Sequence, residues 1–467
     1  MLKIETKGNK YLYDNSSGYY IPFNNELKKV LNNKSNNIEG IQSELLNKYL
    51  KLNVFSEYIV KNKIQYWDEK YIKKLIDDSY FMNLQLVLTG SCNLRCEYCM
   101  YSDKYPDHIN YNNHNMIFDT AKRAVDLFSI NVKNKRDKGI NNAPSISFYG
   151  GEPLLQFDLM ESIVDYAKEQ IPDIKFGITT NGILLTERII SFIIENNFTI
   201  AVSLDGYKAN HDRNRKLANG ANTFDIVWNN LKKIIEFDIN KDVEILLLCC
   251  VDKYTDLLEL ADFFYKNYHI ISRCNVRISA INQLDTTYYE FCDKKYACSQ
   301  IYEKQNQEKS LEVLRDRLEK QYYGDKTNTI LRPFFINEIS LLVGSKGTPR
   351  LPLNNSCIPG SKLTVLPTGE ITPCEKTGNK CIIGNVLDGI DYKKISKITY
   401  KFSKLMATCQ EKKCPIRRVC SACFAYLNES DNLQDGFCKL EIQSKSMLLK
   451  KICENLEKTP DYYEIFF

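Results

Sequence analysis

The sequence has little excess charge and no long apolar stretch. Its 63 basic and 58 acidic residues leave a net charge of +5, which gives no reason to expect nucleic acid or a membrane surface as a partner. The strongest apolar run, over 243–251, is far too short to span a bilayer. The first residues, MLKIETKGNKYLY, lack the basic and then apolar order of a secretory signal. We therefore expect a cytoplasmic protein.

Cysteine is missing before Cys92, although the chain contains 17 cysteines. Because cytosolic thiols stay reduced, a cysteine-rich cytosolic chain suggests metal ligation more than disulfides. The alternative is a set of scattered core residues, since a free cysteine behaves as a small hydrophobe. The spacing of the cysteines decides between the two.

The chain has 467 residues, too many for one ordinary core, and it contains no internal repeat. Composition and periodicity change several times along it. We expect a small N-terminal unit over 1–80, an alternating core over 81–285, a charged bridge over 286–350, a cysteine-rich region over 351–445 and a C-terminal tail over 446–467.

Strand-like and helix-like segments alternate through the core. Six such β–α units in sequence imply a parallel sheet with crossover helices. Six units fall short of a full eight-unit barrel, so the sequence predicts an α/β fold, either a partial (β/α)6 barrel or an open sheet. In such folds the chemistry gathers at the carboxyl ends of the strands. The predicted strands are 84–88, 145–148, 176–179, 199–204, 244–251 and 275–280, and the helices between them are 118–130, 155–169, 187–195, 224–237 and 256–265.

Three closely spaced cysteines follow the first predicted strand. The segment TGSCNLRCEYCM places Cys92, Cys96 and Cys99 in a C-x3-C-x2-C pattern. Three thiolates this close can hold one iron–sulfur cube, which normally takes four cysteines. One iron then keeps an open position, which is typical of a metal site that does chemistry. The alternative is a zinc knuckle completed by His108 or His114.

The segment CNLRCEYC resembles the signature of the radical S-adenosylmethionine (SAM) superfamily. The resemblance implies that Cys92, Cys96 and Cys99 bind a [4Fe–4S] cluster and that SAM chelates the open iron. It further implies that one electron cleaves SAM to methionine and a 5′-deoxyadenosyl radical, which abstracts a hydrogen atom from the substrate. The catalytic residues would then be the three cysteines themselves.

Four further motifs, SFYGGEP, GITTNG, SLDG and HDRNR, fall where that superfamily needs them. Each motif alone is also typical of an ordinary turn or a solvated loop. By resemblance, GGEP binds the SAM amino group, TTNG lies near the ribose, and Ser203 with Arg215 binds the carboxylate, for which an arginine fork is suited. His211 is expected to be structural. The implied SAM-binding residues are Tyr98, Gly150, Gly151, Glu152, Thr179, Asn181, Ser203, Asp205 and Arg215.

The later cysteines resemble the SPASM extension of radical SAM peptide maturases and anaerobic sulfatase maturases. That extension usually carries two auxiliary [4Fe–4S] clusters, but the seven cysteines that match its ligand pattern cannot fill two cubes, which need eight. By resemblance, one cluster takes Cys357, Cys374 and Cys423, and the other takes Cys409, Cys414, Cys420 and Cys438.

The fourth ligand position of the first auxiliary cluster could be open, or it could be filled by Cys381 or by a substrate thiolate. Two spacings also depart from the SPASM pattern. The sequence has C-x4-C at Cys409 and Cys414 where C-x2-C is usual, and C-x2-C at Cys420 and Cys423 where C-x3-C is usual. A single auxiliary cluster and a structural zinc domain therefore remain alternatives. The other cysteines match no ligand motif, and Cys249 and Cys250 are most simply core residues.

The N-terminal unit combines a short hairpin with helical patterns. Strands are predicted at 10–14 and 19–22, and helices at 26–31, 38–52 and 69–77. This order of elements resembles the winged-helix module with which peptide maturases hold a leader peptide by strand addition. The alternative is a plain packing domain.

The resemblance as a whole implies a peptide maturase acting on a ribosomally made precursor with a leader, served by an electron donor such as flavodoxin or ferredoxin. A thioether crosslink is favoured, because a substrate thiolate could fill the missing ligand position. The alternatives are a carbon–carbon crosslink, epimerisation, or oxidation of a cysteine or serine to formylglycine in a sulfatase. A non-enzymatic iron–sulfur protein for electron transfer or redox sensing is disfavoured, since an electron carrier has no need of GGEP or Arg215.

Overall fold

The structure is a computed structural model, and its described residues fall into two compact units. The first unit contains Met1–Asp68, Phe335–Ile358 and Ser396–Phe467, and the second contains Glu69–Phe334 and Pro359–Ile395. His108, Cys298, most of the helix predicted at 26–31 and the start of the helix predicted at 38–52 lie outside the described residues. Those residues are 1–15, 17–25, 27–28, 44–52, 54, 66–105, 112–240, 242–281, 283–284, 286–297, 306–324, 330–343, 356–427, 432–433 and 435–459.

The regular elements are named in chain order. The strands are β1 (Leu2–Glu5), β2 (Lys10–Tyr13), β3 (Tyr20–Pro22), β4 (Asn83–Thr89), β5 (Ser145–Gly150), β6 (Lys175–Thr180), β7 (Thr199–Ser203), β8 (Glu244–Val251), β9 (Cys274–Ala280), β10 (Leu363–Val365), β11 (Glu370–Thr372), β12 (Gly384–Asn385) and β13 (Gly389–Ile390). The helices are α1 (Glu44–Lys51), α2 (Glu69–Asp77), α3 (Phe118–Asp137), α4 (Phe157–Gln170), α5 (Glu187–Glu195), α6 (Lys208–Asn214), α7 (Phe224–Phe237), α8 (Leu257–Lys266), α9 (Tyr268–Ile271), α10 (Tyr288–Tyr296), α11 (Gln307–Gly324), α12 (Ile336–Val343), α13 (Tyr392–Glu411) and α14 (Phe437–Lys458). In the part of the chain that the structure describes, no helix has the length and apolarity needed to cross a membrane.

The first unit contains a three-stranded antiparallel sheet in the order β1–β2–β3. Leu12 and Tyr13 are neighbours on β2 and therefore point to opposite faces, yet both are buried. Leu12 packs in a core with Ile21, whereas Tyr13 packs in another core with Leu449 of α14. The sheet is thus covered on both faces. The hairpin of β2 and β3 was predicted, and β1 was not.

The second unit is built on six parallel strands that are consecutive both in the chain and in the sheet. Each of β4 to β8 pairs in parallel with the next strand, so each connection crosses over through helical structure. Every one of these strands overlaps a predicted run. The α/β fold with a parallel sheet is therefore confirmed.

One face of this sheet packs against the crossover helices. Phe148, Phe176 and Phe198 stack on the helix side with ring centroids 5.3 to 6.4 Å apart, and Phe192 of α5 packs against Phe198. The alternate residues point the other way, to what we call the inner face. Most of these are small or polar and half-buried: Ser147, Tyr149, Gly177, Thr179, Ala201, Ser203, Leu248 and Cys250.

Four short strands from the cysteine-rich region extend this sheet. Strand β10 pairs in parallel with β4, and β11, β12 and β13 continue antiparallel beyond it, which gives ten strands in all among the described residues. Thr364 of β10 donates to the Gln85 side chain of β4 at 3.1 Å. The sequence predicted little regular structure here. The structure instead forms these strands and the two long helices α13 and α14.

Candidate active site

The loop after β4 carries the three clustered cysteines. The backbone N–H of Leu94 donates to the Cys92 sulfur, and that of Tyr101 donates to the Cys99 sulfur, each at 3.4 Å. Such bonds favour the thiolate. Burial acts in the opposite direction and raises the pKa of Cys92 to about 11. A coordinated metal ion reverses that penalty, because a coordinating thiol is deprotonated.

Gly150 and Gly151 pack against the backbone of this cysteine loop. A Cβ on Gly151 would lie 2.1 Å from the Ser91 carbonyl oxygen, and one on Gly150 would lie 2.4 Å from that of Thr89. The Gly151 N–H also donates to the Thr89 carbonyl at 2.8 Å. The absence of side chains at these two glycines therefore allows the GGEP segment to pack directly against the backbone of the cysteine loop. Their predicted approach to SAM stays a prediction.

The Glu152 carboxylate is fully buried and accepts hydrogen bonds from three protein donors. It accepts from the N–H of Leu154 at 3.0 Å, the hydroxyl of Thr180 at 2.8 Å and the N–H of Asn181 at 2.7 Å. Burial raises its pKa to about 7. Glu152 thus ties the GGEP and TTNG segments together, and we regard it as a positioning residue for Asn181.

Asn181 extends from the end of β6 to the cysteine loop. Its amide nitrogen lies 3.7 Å from the Cys92 sulfur and donates to the Asn93 side-chain oxygen at 2.7 Å. The sequence singled out Asn181 but missed Asn93, which lies inside the CNLRC signature. Thr179, one residue before Thr180 on β6, lies on the inner face.

Asp205 is the acceptor that joins the SLDG turn to three other segments. Its carboxylate accepts from the Tyr98 hydroxyl at 2.5 Å, from Arg215 Nε at 3.1 Å and from the Cys250 N–H at 3.0 Å. The Arg215 guanidinium lies 5.4 Å from the centre of the Tyr98 ring, and its Nη1 lies 3.8 Å from the Cys96 sulfur. The structure therefore places a fixed, buried positive charge beside a predicted cluster ligand. Ser203, at the end of β7, is buried on the inner face.

A second buried ion pair supports this arrangement. Arg213 donates to both oxygens of Asp252, at 2.7 and 2.9 Å, and the Tyr288 hydroxyl donates to the same carboxylate at 2.6 Å. The ring of Tyr288 packs edge-on against Tyr98. Asp252 follows β8 directly, and its position at the end of a parallel strand could have identified it as a site residue from the sequence. Tyr288 lies on α10, where no sequence pattern marks it as part of the site.

His211 is buried in α6 and has a structural role, as expected. Its Nδ1 accepts from the Asp205 N–H at 3.2 Å, and its Nε2 lies 3.0 Å from the Thr223 hydroxyl. Burial holds its pKa well below the usual range, so the ring is neutral.

Cys249 and Cys250 have different environments. Cys249 is buried on the helix side, as expected for a core residue. Cys250 lies on the inner face at the carboxyl end of β8, where its thiol contacts the side chains of Tyr98 and Arg215. Burial raises the pKa of Cys250 to about 11, so the thiol keeps its hydrogen at neutral pH. No sequence pattern distinguishes the two cysteines by role.

Four of the later cysteines line one cavity in the first unit: Cys409, Cys414, Cys420 and Cys438. This is the set that resemblance assigns to one auxiliary cluster. The Ala422 N–H donates to the Cys420 sulfur at 3.4 Å, the same contact that Cys92 and Cys99 receive. Four soft thiol ligands fit an iron–sulfur cube.

The other predicted ligand set stays a prediction. Cys357 and Cys423 belong to the first unit, whereas Cys374 and Cys381 lie in the second, after β11. Among the described residues, no three His, Cys, Asp or Glu side chains converge closely enough to hold a single metal ion. A cube spaces its ligands further apart, because irons and sulfides stand between them.

Residues 86–264 match the model of the Radical SAM superfamily. This chain carries a radical SAM domain. The match begins within β4 and ends in α8, so it includes the cysteine loop, the glycine pair and Arg215. The prediction of this superfamily, and of SAM and a [4Fe–4S] cluster as its cofactors, is confirmed. The three thiols fit those cofactors: Cys92 and Cys99 have backbone donors, Asn181 lies beside Cys92, and Arg215 lies beside Cys96.

Two relatives of the radical SAM domain have informative names. The radical SAM cyclopropyl synthase TigE of Paramaledivibacter caminithermalis is 26% identical over 294 residues, 56% of this chain and 62% of TigE. A cysteine-type anaerobic sulfatase-maturating enzyme of Clostridium novyi is 30% identical over 171 residues, 36% of this chain and 42% of that enzyme. The chain thus spans less than two thirds of the length of either relative.

A solved structure supports the fold around the radical SAM domain. Native anSMEcpe with bound AdoMet and Cp18Cys peptide superposes with a TM-score of 0.55 at 20% identity, over 80% of this chain and 99% of that chain. The shared feature is the α/β fold with its large, mainly parallel sheet.

Proposed function

We propose that this chain is a radical SAM enzyme that modifies a ribosomally made peptide. The observation that carries the proposal is the cysteine loop at the carboxyl edge of the sheet, with Asn181 and Arg215 beside its thiols. The names of the relatives, a cyclopropyl synthase and a sulfatase-maturating enzyme, and a peptide-bound structure of the same fold support a peptide as substrate.

Each residue of the site has a distinct task in this proposal. Cys92, Cys96 and Cys99 would hold the cluster, which supplies the electron that cleaves bound SAM to methionine and a 5′-deoxyadenosyl radical. Arg215 is suited to hold the SAM carboxylate, because it is permanently charged and Asp205 fixes its orientation. Asn181 is held in place by Glu152. The inner face, with its small and polar side chains, leaves room for the reacting part of the peptide.

SAM cleavage is tested by anaerobic incubation with SAM and dithionite, followed by measurement of 5′-deoxyadenosine. The wild type should form it, and Cys96→Ser should not. Cys274→Ser is the matched control, because Cys274 lies on β9 outside the cysteine loop and should leave cleavage unchanged. Cleavage by Cys96→Ser at the wild-type rate would remove the basis of the proposal.

Within this class we propose a thioether crosslink as the product. The support is that seven cysteines match the SPASM ligand pattern against the eight that two cubes need, which leaves a position that either Cys381 or a substrate thiolate would fill. Mass spectrometry of a cysteine-bearing precursor after co-expression should show a loss of two hydrogens. Alkylation should then modify one cysteine fewer than in the unmodified peptide. A loss of two hydrogens with every thiol still alkylated indicates a carbon–carbon crosslink instead.

Epimerisation is the second candidate, and the position of Cys250 favours it. Its protonated thiol faces the site and could give a hydrogen atom to a substrate carbon radical, leaving a sulfur radical on Cys250. An unchanged peptide mass with deuterium uptake from heavy water would support this product. Cys250→Ala should then still cleave SAM but no longer transfer deuterium. Formylglycine formation is distinguished by the loss of the cysteine sulfur from the product.

We further propose two partners. The three-stranded sheet of the first unit, whose outer strands are β1 and β3, would receive the leader peptide by strand addition. A small reductant protein such as flavodoxin or ferredoxin would supply electrons. Fluorescence anisotropy of a labelled leader, titrated with the full chain, tests the first partner. An absence of saturable binding would contradict it.

A further inference from the structure

The cavity lined by the four later cysteines also contains a buried cation. Arg417 is only 7% exposed and lines this cavity together with Cys409, Cys414, Cys420 and Cys438. Most of the remaining wall is apolar, formed by Met406, Ile416, Leu433 and Ile442. Little water can therefore screen the charge of Arg417 from whatever the thiols bind.

The other charged groups near the cavity are engaged or exposed. Glu441 on α14 lines it, but its carboxylate accepts from the Ser421 N–H at 3.1 Å and from the Ser421 hydroxyl at 2.7 Å. Lys412 faces the cysteines from an exposed position, where water screens it. Burial raises the pKa of Cys409 to about 11, and Arg417 is the first cation that opposes this rise. Of Arg417 and Glu441, which both line the cavity, Arg417 is the more deeply buried and acts on Cys409, whereas the negative charge of Glu441 acts on Cys420 and Cys438.

A residue from the other end of the chain holds the segment that carries Arg417. Asn15, in the turn between β2 and β3, is 4% exposed. Its amide nitrogen donates to the carbonyls of Cys414 at 3.2 Å and Pro415 at 2.9 Å, and its oxygen accepts from the Arg418 N–H at 3.3 Å. Asn15 therefore fixes the backbone on both sides of Arg417.

Gly18 completes this contact. It has a φ of +78°, and a Cβ there would lie 2.8 Å from the Arg418 Nε. A Cβ at this position would displace the Arg418 side chain, and the positive φ disfavours residues other than glycine. The turn thus fits closely against 414–418, although Asn15 and Arg418 are 403 residues apart in sequence.

We propose that Arg417 raises the reduction potential of an iron–sulfur cluster held by Cys409, Cys414, Cys420 and Cys438, and that Asn15 positions Arg417 for this task. The inference rests on the proposed function and on the assignment, by resemblance, of these four cysteines to an auxiliary cluster. Reduction adds one negative charge, so a nearby cation stabilises the reduced form more than the oxidised form. A raised potential favours uptake of an electron over its donation.

The test measures the midpoint potential of this cluster alone, in the full chain with Cys92, Cys96 and Cys99 replaced by alanine, together with the other predicted ligands Cys357, Cys374, Cys381 and Cys423. The couple is a one-electron reduction, [4Fe–4S]2+ to [4Fe–4S]1+, with the electron supplied by dithionite and followed by electron paramagnetic resonance. Arg417→Gln should shift the potential to a more negative value. Arg417→Lys keeps the charge and should restore most of the shift.

Arg418→Gln is the matched control. It removes the same charge one residue further along, from a side chain that does not line the cavity, and should leave the potential unchanged. Asn15→Ala should shift the potential in the same direction as Arg417→Gln. Because both act through one group, the double variant should shift no further than Arg417→Gln alone.

Iron and sulfide analysis separates failure of the inference from failure of the proposed function. If the background variant, which keeps only Cys409, Cys414, Cys420 and Cys438 of the predicted ligands, binds no iron and sulfide, the auxiliary cluster is wrong and the inference is overturned with it. If it binds a cluster whose potential is the same in wild type and Arg417→Gln, or is shifted equally by Arg418→Gln, the inference alone is wrong. Arg417→Met, which keeps the apolar stem, takes the place of Arg417→Gln if the glutamine variant loses iron.

Discussion

At the scale of single residues, Asp205 connects the cysteine loop, the arginine beside it and strand β8. Its carboxylate accepts from Tyr98, from Arg215 and from the Cys250 N–H, and it is buried together with the Arg215 side chain. A buried pair of this kind is costly to break, because the remaining charge stays in a poorly solvated site. The geometry of the site therefore depends on a group that need not touch SAM.

We expect Asp205→Asn to lower the unfolding free energy by about 3–5 kcal/mol, since it leaves the buried Arg215 charge uncompensated. The affinity for SAM should fall as well, because Arg215 loses its orientation. Thermal unfolding and equilibrium dialysis with labelled SAM measure the two effects. Asp173→Asn is the control, because Asp173 pairs with Arg136 at the surface and should cost less than about 1 kcal/mol. Equal effects of the two substitutions would contradict this account of Asp205.

Glu152 should make stability depend on pH. Burial raises its pKa from 4.5 to about 7, so the folded protein holds this proton more tightly than the unfolded chain. The resulting stabilisation is fully present below pH 4.5 and is lost as pH rises through 7, a total of about 3 kcal/mol. The Tm difference between wild type and Glu152→Gln should therefore be smaller at about pH 8 than at about pH 5. Glu187→Gln, at an exposed position, should show no such change.

The sequence identified site residues through their motifs but not through their partners. Cys92, Asn181 and Arg215 lie in segments whose order along the chain is informative. The contact between Asn15 and Cys414, by contrast, depends on the folded path of about 400 intervening residues, and no local pattern encodes it. Cys249 and Cys250 are likewise not distinguished by the sequence. Only the strand pairing of the folded sheet shows that Cys250 faces the site.

At the scale of elements, the glycine pair after β5 fixes the distance between two loops. We expect Gly151→Ala to displace the cysteine loop, because the added Cβ would meet backbone at 2.1 Å and backbone cannot rotate away. The iron bound after anaerobic reconstitution should fall, and 5′-deoxyadenosine formation with it. Gly8→Ala is the matched control, since its Cβ would meet nothing within 4 Å. Full iron content in Gly151→Ala would show that the loops can separate without loss.

Elements were predictable where apolar periodicity is strong. The predicted bounds of α2, α5 and α7 agree with the structure, because their apolar faces are regular. Strands β10 to β13 have only two or three residues each, too few for a period, and they form because a distant strand edge is available for pairing. Helix α6 was missed because its buried residues are polar, so it has no apolar stripe.

At the scale of the whole molecule, the first unit is assembled from both ends of the chain. Ile4 and Tyr13 share a core with Leu449 and Cys453 of α14. We expect Leu449→Ala to cost about 2–5 kcal/mol, because Leu449 is fully buried. The matched control is Leu440→Ala on the same helix, since Leu440 is 37% exposed and should cost much less.

This substitution should also separate the two proposed cluster sites. Leu449→Ala should reduce the iron bound by the chain without Cys92, Cys96 and Cys99, because its four-cysteine cavity lies in the first unit. It should spare 5′-deoxyadenosine formation, whose residues lie in the second unit. If Leu449→Ala loses both iron binding and 5′-deoxyadenosine formation, the assignment of the two cluster sites to separate units is contradicted.

The contact of Asn15 with the segment at Cys414 has a consequence for biosynthesis. Asn15 and Cys438, the last thiol of the cavity, are separated by more than 400 residues of sequence. Because the hairpin and all four thiols belong to the first unit, the cavity can take its final shape only after that whole stretch has been synthesised.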